Sequence, residues 1–166
     1  AYYMTGKLAR SAAFLNGEIE EAVAAELLFK IEDSIIRGSG AGQPLGLKNA
    51  ACLISQDVEN GQTVSDPILA ENISKMWSRM PASHRRNAVW LINQELEPYM
   101  DKLNLGAGAT GGSLVYMPAG GMSASPYGML KGRPVVPTEF QDAPGTVSDF
   151  MLVDLSQYRV VKRPGT

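Results

Sequence analysis

An α+β fold is what this sequence predicts, on three features. Leu15, Ile19, Val23, Leu27, Ile31 and Ile35 recur every fourth residue; Ala88-Val89-Trp90-Leu91-Ile92 is an unbroken apolar block; and two short apolar runs, residues 150–153 and 158–161, close the chain. The first pattern has the period of a helix, and the other two have the length and residue types of strands.

Taken in order, the first element is a long amphipathic helix from Asn16 to the glycine run that begins at Gly38. A stride of four overshoots the helical repeat by about 40° per step, so the apolar face winds around the axis and can meet more than one neighbour. Ala24 and Leu28 add a second apolar row, while Glu26, Lys30, Asp33 and Arg37 form a solvated stripe with Glu26–Lys30 and Asp33–Arg37 at the favourable i, i+4 spacing. Asn16 is the expected N-cap, Glu18, Glu20 and Glu21 suit the positive end of the helix dipole, and Gly38 is placed to stop the helix. Pro44 and Gly46 then enforce a turning segment, and residues 49–54 read as a short strand or buried connector.

A polar stretch, residues 55–63, leads to a second amphipathic helix with Asp66-Pro67 at its start. Leu69, Ile73, Met76, Trp77 and Met80 face inward, and Pro81 ends the run. The block 88–92 is bounded by Asn87 and Asn93 and suits a central strand covered on both faces. Asn93 can cap a short third helix that turns Leu96, Met100 and Leu103 inward, tolerates Pro98 near its start and ends at Gly106. Residues 105–128, rich in Gly, Ala and Ser, read as a loop holding a short hairpin around Leu114-Val115-Tyr116-Met117. Val135 and Val136, between Pro134 and Pro137, read as a short or edge strand. The two C-terminal runs read as strands joined by the turn Asp154-Leu155-Ser156-Gln157.

Composition narrows the function. The 166 residues, 45% hydrophobic, are enough to bury a core in one domain or two small ones. Fifteen basic against 17 acidic side chains provide no field that would draw the chain onto nucleic acid or an anionic membrane. Cys52 is the single thiol, so an intrachain disulfide is impossible and a reducing compartment is the simpler reading. No apolar run is long enough to span a bilayer. The chain opens near a helix without a methionine and closes on Arg163-Pro164-Gly165-Thr166, which reads as a piece of something longer.

No candidate chemistry outweighs its structural explanation. Gly38-Ser39-Gly40-Ala41-Gly42-Gln43 has the look of a phosphate loop, but it follows a helix C-terminus, where carbonyls repel phosphate, and no Gly-Lys-Ser/Thr follows. A turn that uses glycines at positive φ is the better reading. His84, the one histidine, has no Gly-x-Ser-x-Gly elbow to serve and is expected on a surface loop. One His and one Cys cannot supply a closed zinc set. Glu95 with Glu97, and Glu139 with Asp142, read as solvated pairs, Met76, Trp77 and Met80 as core, and Arg85-Arg86 as a subunit contact. The sequence therefore predicts no catalytic, cofactor-binding or metal site, and no enzyme.

Four blocks in order resemble the tailed-bacteriophage major capsid protein family, with its Hong Kong 97-type fold. They are Ile35-Ile36-Arg37-Gly38-Ser39-Gly40 with Gln43-Pro44-Leu45-Gly46-Leu47; Arg86-Asn87-Ala88-Val89-Trp90-Leu91-Ile92-Asn93; Leu130-Lys131-Gly132-Arg133-Pro134-Val135-Val136; and Asp154-Leu155-Ser156-Gln157-Tyr158-Arg159-Val160. The resemblance implies a long spine helix plus a mixed sheet with flanking helices. It places residues 1–47 in a peripheral domain, residues 48–150 in an axial domain and residues 151–166 in a return strand. It also implies a shell subunit whose partners are copies of itself in pentamers and hexamers, enclosing DNA without sequence-specific binding, with no cofactor and no membrane. Such a subunit is made in the bacterial host cytoplasm and ends in the virion. Family members are longer, and the N-terminal arm, the extended loop and the final peripheral strands have no counterpart in these 166 residues. The alternatives are the shell of an encapsulin-type compartment and a phosphate- or small-molecule-binding enzyme domain using the glycine turn and Arg85-Arg86.

Overall fold

The structure, a computed structural model, describes residues 12–59, 61–63, 67–105, 113–114, 116–118 and 127–161. Contacts divide the chain into two compact units, Ala1–Ala51 and Cys52–Thr166.

The first unit is built on helix α1, Ala12–Arg37. It begins upstream of the expected cap: Asn16 lies inside the helix, because the helix-forming pair Ala12-Ala13 extends it, and the first turn carries no acid. Both predicted ion pairs are present, Lys30–Glu26 at 3.8 Å and Arg37–Asp33 at 3.7 Å. The glycines end α1 by close approach. A Cβ on Gly38 would lie 2.1 Å from Pro44 O and 2.3 Å from Ser34 O, so only a glycine lets the chain fold back on itself here. Gly46 N–H donates to Gly38 O at 2.8 Å, Ser39 and Leu45 form a bridge, and Gly40 and Gly42 take φ of 81° and 71°. Asn49 Nδ2 donates to Arg37 O and Gly38 O, satisfying carbonyls that the helix end leaves open. Residues 47–49 form a single 3-10 turn, and residues 52–59 carry no strand or helix; Leu53 and Ile54 are exposed and the segment has no ladder partner among the described residues, so it is neither the expected strand nor a buried connector.

The second unit centres on a five-stranded mixed sheet in the order β4-β5-β6-β1-β7, comprising Tyr116–Met117, Gly128–Leu130, Arg133–Thr138, Val89–Asn93 and Phe150–Val153. Strand β1 pairs parallel with β6 and antiparallel with β7, and Trp90, Leu91 and Ile92 are all buried, as a strand covered on both faces requires. Strand β6 corrects the sequence reading, for it is six residues long and interior rather than short or at an edge. Its prolines are tolerated by register: Pro134 pairs with Met129 but precedes the first rung to β1, while Pro137 pairs with Ile92 but lies beyond the last rung to β5. Each has a ladder partner on one side only, leaving the missing N–H an open side to face. Lys131 and Gly132, at φ of 51° and 74°, form the two-residue turn joining β5 to β6, the sign pattern that matches strand twist. The second unit also holds a two-stranded pair, β2 (Asn104–Leu105) with β3 (Ser113–Leu114).

Trp90, Ile92, Leu130, Val135, Ile73, Leu96 and Met100 form the core, with Phe150 and Tyr116 closing it and Met76 and Trp77 packed against it. The Trp90 ring lies 5.0 Å from Phe150 and 6.3 Å from Trp77, and its indole N–H donates to Leu130 O at 3.0 Å. Tyr116 covers Gly128 so closely that a Cβ there would overlap the phenol. Helix α2, Ala70–Arg79, starts later than expected: its cap contact is Asn72 Oδ1 accepting from Leu69 N–H at 3.0 Å, Pro67 lies before the first turn, and Asp66 is outside the described residues. Asn93 caps the next turn by accepting from Glu95 N–H at 2.8 Å; helix α3, Glu97–Met100, is shorter than predicted, and Gly106 lies outside the described residues, as does most of the Gly-rich stretch. After β7 the chain makes a 3-10 turn at Leu155–Gln157. Residues 158–161 then form no strand; Val160 and Val161 are exposed, with no ladder partner among the described residues.

Candidate interaction surfaces

Helix α1 presents the broadest apolar surface of the first unit. Val23, Leu27, Leu28 and Ile31 are each more than half exposed, with Ile19 and Phe29 also exposed, while Ile36 at the C-terminal end is buried. The stride read in the sequence is real, but most of its face lies open rather than in a core. Monomeric proteins keep such patches small, and a stripe of this extent on a helix about 39 Å long has the character of a contact surface. Its charge is uneven as well: Glu18, Glu20, Glu21 and Glu26 are exposed, and no base occurs between residue 12 and Phe29.

One end of the five-stranded sheet carries the opposite charge. Parallel pairing of β1 with β6 brings the turn before β1, residues 81–87, beside the β5–β6 turn. Arg133 Nη1 donates to Arg86 O, and the Arg86 and Lys131 side chains are exposed. Lys131 holds a left-handed φ that favours Gly or Asn, at a cost of about 1 kcal/mol. The antiparallel partner β7 ends at the same place, with Asp154 Oδ2 2.8 Å from His84 Nδ1.

That histidine–aspartate contact is the arrangement the sequence hid. Seventy residues separate the two, and nothing in the spacing announces them. Ser156 joins them, but its hydroxyl donates to Asp154 Oδ1 at 2.6 Å, so it is bound to the carboxylate and not activated by the imidazole. The hydroxyl first, and then His84, hold the Asp154 carboxyl below the usual aspartate range. The geometry ties the end of β7 to the α2–β1 turn.

The remaining candidates fall as follows. Arg85 is engaged within its own chain, over the Trp77 ring at 5.5 Å and donating to Met80 O and Ser78 O, whereas the Arg86 side chain is exposed. The glycine run is a turn past a helix C-terminus, as read. Glu95, Glu97 and Glu139 are exposed, and Cys52 is a free exposed thiol. Burial raises the Asp149 carboxyl, opposed by the Gly145 amide at 2.8 Å. Among the described residues no group of three or more His, Cys, Asp or Glu is placed to hold a metal ion, and no helix is long and apolar enough to cross a membrane.

Sequence reasoning also missed the polar face of α2. Asn72, Lys75 and Arg79, at i, i+3 and i+7, grip Ser55, Asp57, Glu59 and Gln62: Lys75 meets Glu59 at 2.6 Å, Arg79 donates to Ser55 O at 2.7 Å, and Asn72 reaches Asp57 O and Gln62. The signal was available, since that spacing marks one helix face opposite Ile73 and Trp77.

A model of the phage capsid family matches residues 2–166, essentially the whole chain. No curated protein and no solved structure matches it.

Proposed function

The chain belongs to the phage capsid family and is a capsid structural protein; on that premise we propose that it is the repeating subunit of an icosahedral phage or prophage head that encloses packaged DNA. In this reading residues 1–47 are part of the peripheral domain with α1 as spine, residues 48–150 form the axial domain, and residues 151–166 are the return segment. Copies gather as pentamers and hexamers in the virion shell, and the chain performs no catalysis.

The observation that carries this reading is the family match across 2–166. Physical features support it. A shell subunit acts by contact, so it needs surfaces that meet copies of itself and a net charge small enough that hundreds of copies do not repel one another. The open apolar face of α1 supplies such a surface, and a formal charge of −2 meets the second condition. A weakly acidic chain also suits a shell that surrounds DNA without gripping its sequence.

Cryo-electron microscopy of particles formed by the protein expressed from its gene tests the proposal. Icosahedral shells with five- and six-membered capsomers are expected, and only free subunits across salt and pH would refute it. Nuclease treatment of particles from the native source tests the contents. Protected duplex DNA is expected, whereas a single cargo protein in its place would identify an enzyme-filled compartment instead.

A further inference from the structure

Two clusters of opposite charge lie in different units. The sheet end of the second unit holds Arg86, Lys131 and Arg133, and Asp154, at the end of the neighbouring strand, is already bound to His84 and Ser156. The first unit exposes Glu18, Glu20 and Glu21 around the N-terminal turns of α1, next to the first of its open apolar residues, Ile19 and Val23.

We infer that the basic sheet end of one copy docks on the acidic N-terminal part of α1 of a second copy, where the open apolar stripe of that helix begins. This rests on the self-assembly reading above and names the surfaces that meet. Lys131 is the pointed observation. A two-residue turn of this geometry is least strained with Gly or Asn, yet its first residue is a lysine at φ 51°, so the turn geometry does not account for the side chain and its charge does. Arg86 likewise lends only its backbone oxygen to the fold and leaves its guanidinium outward in solvent. A polyanion such as duplex DNA is the less favoured occupant: three cations on a chain of net negative charge release few counterions, whereas a matching acidic segment is present on every copy.

Charge reversal tests this. One variant carries Arg86→Glu with Lys131→Glu, and another carries Glu18→Lys, Glu20→Lys and Glu21→Lys; unchanged circular dichroism controls for folding. In sedimentation velocity at low salt, each alone is expected to associate at least about tenfold more weakly than wild type, and a mixture of the two to recover association. Recovery on mixing requires contact between copies. Lys131→Gly separates charge from fold, and is expected to raise Tm while weakening association. If wild type associates and both reversals associate equally well, this docking is overturned and the assembly reading stands. If wild type remains monomeric throughout, the assembly reading fails and takes this inference with it. Loss of duplex-DNA binding in the first variant with self-association intact would reassign the basic end to nucleic acid and overturn the proposal.

Discussion

Trp90→Phe probes the centre of the second unit. The side chain is fully buried in the middle strand, between Phe150 at 5.0 Å and Trp77 at 6.3 Å, and its N–H satisfies the buried carbonyl of Leu130. Phenylalanine keeps an aromatic ring on the same face, so the loss divides into two parts. The smaller ring leaves a void beside Phe150 worth about 1–2 kcal/mol, and the lost indole hydrogen bond adds about 1 kcal/mol, for a total of up to about 3 kcal/mol. Trp77→Phe is the internal control. That ring is half-buried and stacks under Arg85, and its replacement weakens one cation–π contact for about 1 kcal/mol. Urea unfolding followed by far-ultraviolet circular dichroism avoids a tryptophan signal that the substitutions themselves alter. With a slope of about 2 kcal/mol per molar urea, the Trp90→Phe midpoint falls by up to about 1.5 M and that of Trp77→Phe by about 0.5 M. Equal shifts for the two variants, or a Trp90→Phe loss under about 1 kcal/mol, would refute the packing argument.

Gly38→Ala forces a Cβ onto two backbone oxygens, and is expected to cost about 2–3 kcal/mol, read as faster hydrogen exchange at the Gly38 and Gly46 amides. Ser148 sits at φ 79° without being glycine, and Ser148→Gly is expected to gain about 0.5–1 kcal/mol, visible as a higher Tm. The folded carboxyl of Asp154 is depressed, so its stabilisation is complete above its unfolded value near 4 and is lost as pH falls through the folded value; Asp154→Asn should flatten the acid limb of a stability–pH curve. Asp149 has the opposite sign, because its folded carboxyl is raised. Its contribution is complete below the unfolded value and is lost as pH rises through the folded one, so Asp149→Asn should lessen the decline of stability above pH 4.

Periodic apolar patterns were legible wherever a single face decides an element. The α1 stride, the Ile73–Met76–Trp77 face of α2, the block at Val89–Asn93 and the inward Leu96, Met100 and Leu103 all stand where their spacing put them. Boundaries were less legible, because capping is a contest among neighbours. Ala12-Ala13 extended α1 past Asn16, and Asn72 rather than Asp66-Pro67 supplied the contact at the start of α2. What misled most were features set by pairing across the chain. Two prolines marked Val135-Val136 as peripheral, yet the staggered register lets both occupy an interior strand. The apolar run at residues 158–161 looked like a strand and lacks a neighbour to pair with among the described residues. Of the surfaces, the open face of α1 was legible as apolar but not as exposed, since periodicity does not say what covers a face. The His84–Asp154 contact and the basic sheet end depend on β1, β6 and β7 lying side by side, and no local spacing encodes that.

Negative-stain electron microscopy of the protein expressed from its gene, over a range of salt and pH, tests the central claim most directly. Closed shells of uniform diameter are the predicted result. Monomers and small oligomers alone, under every condition, would contradict it.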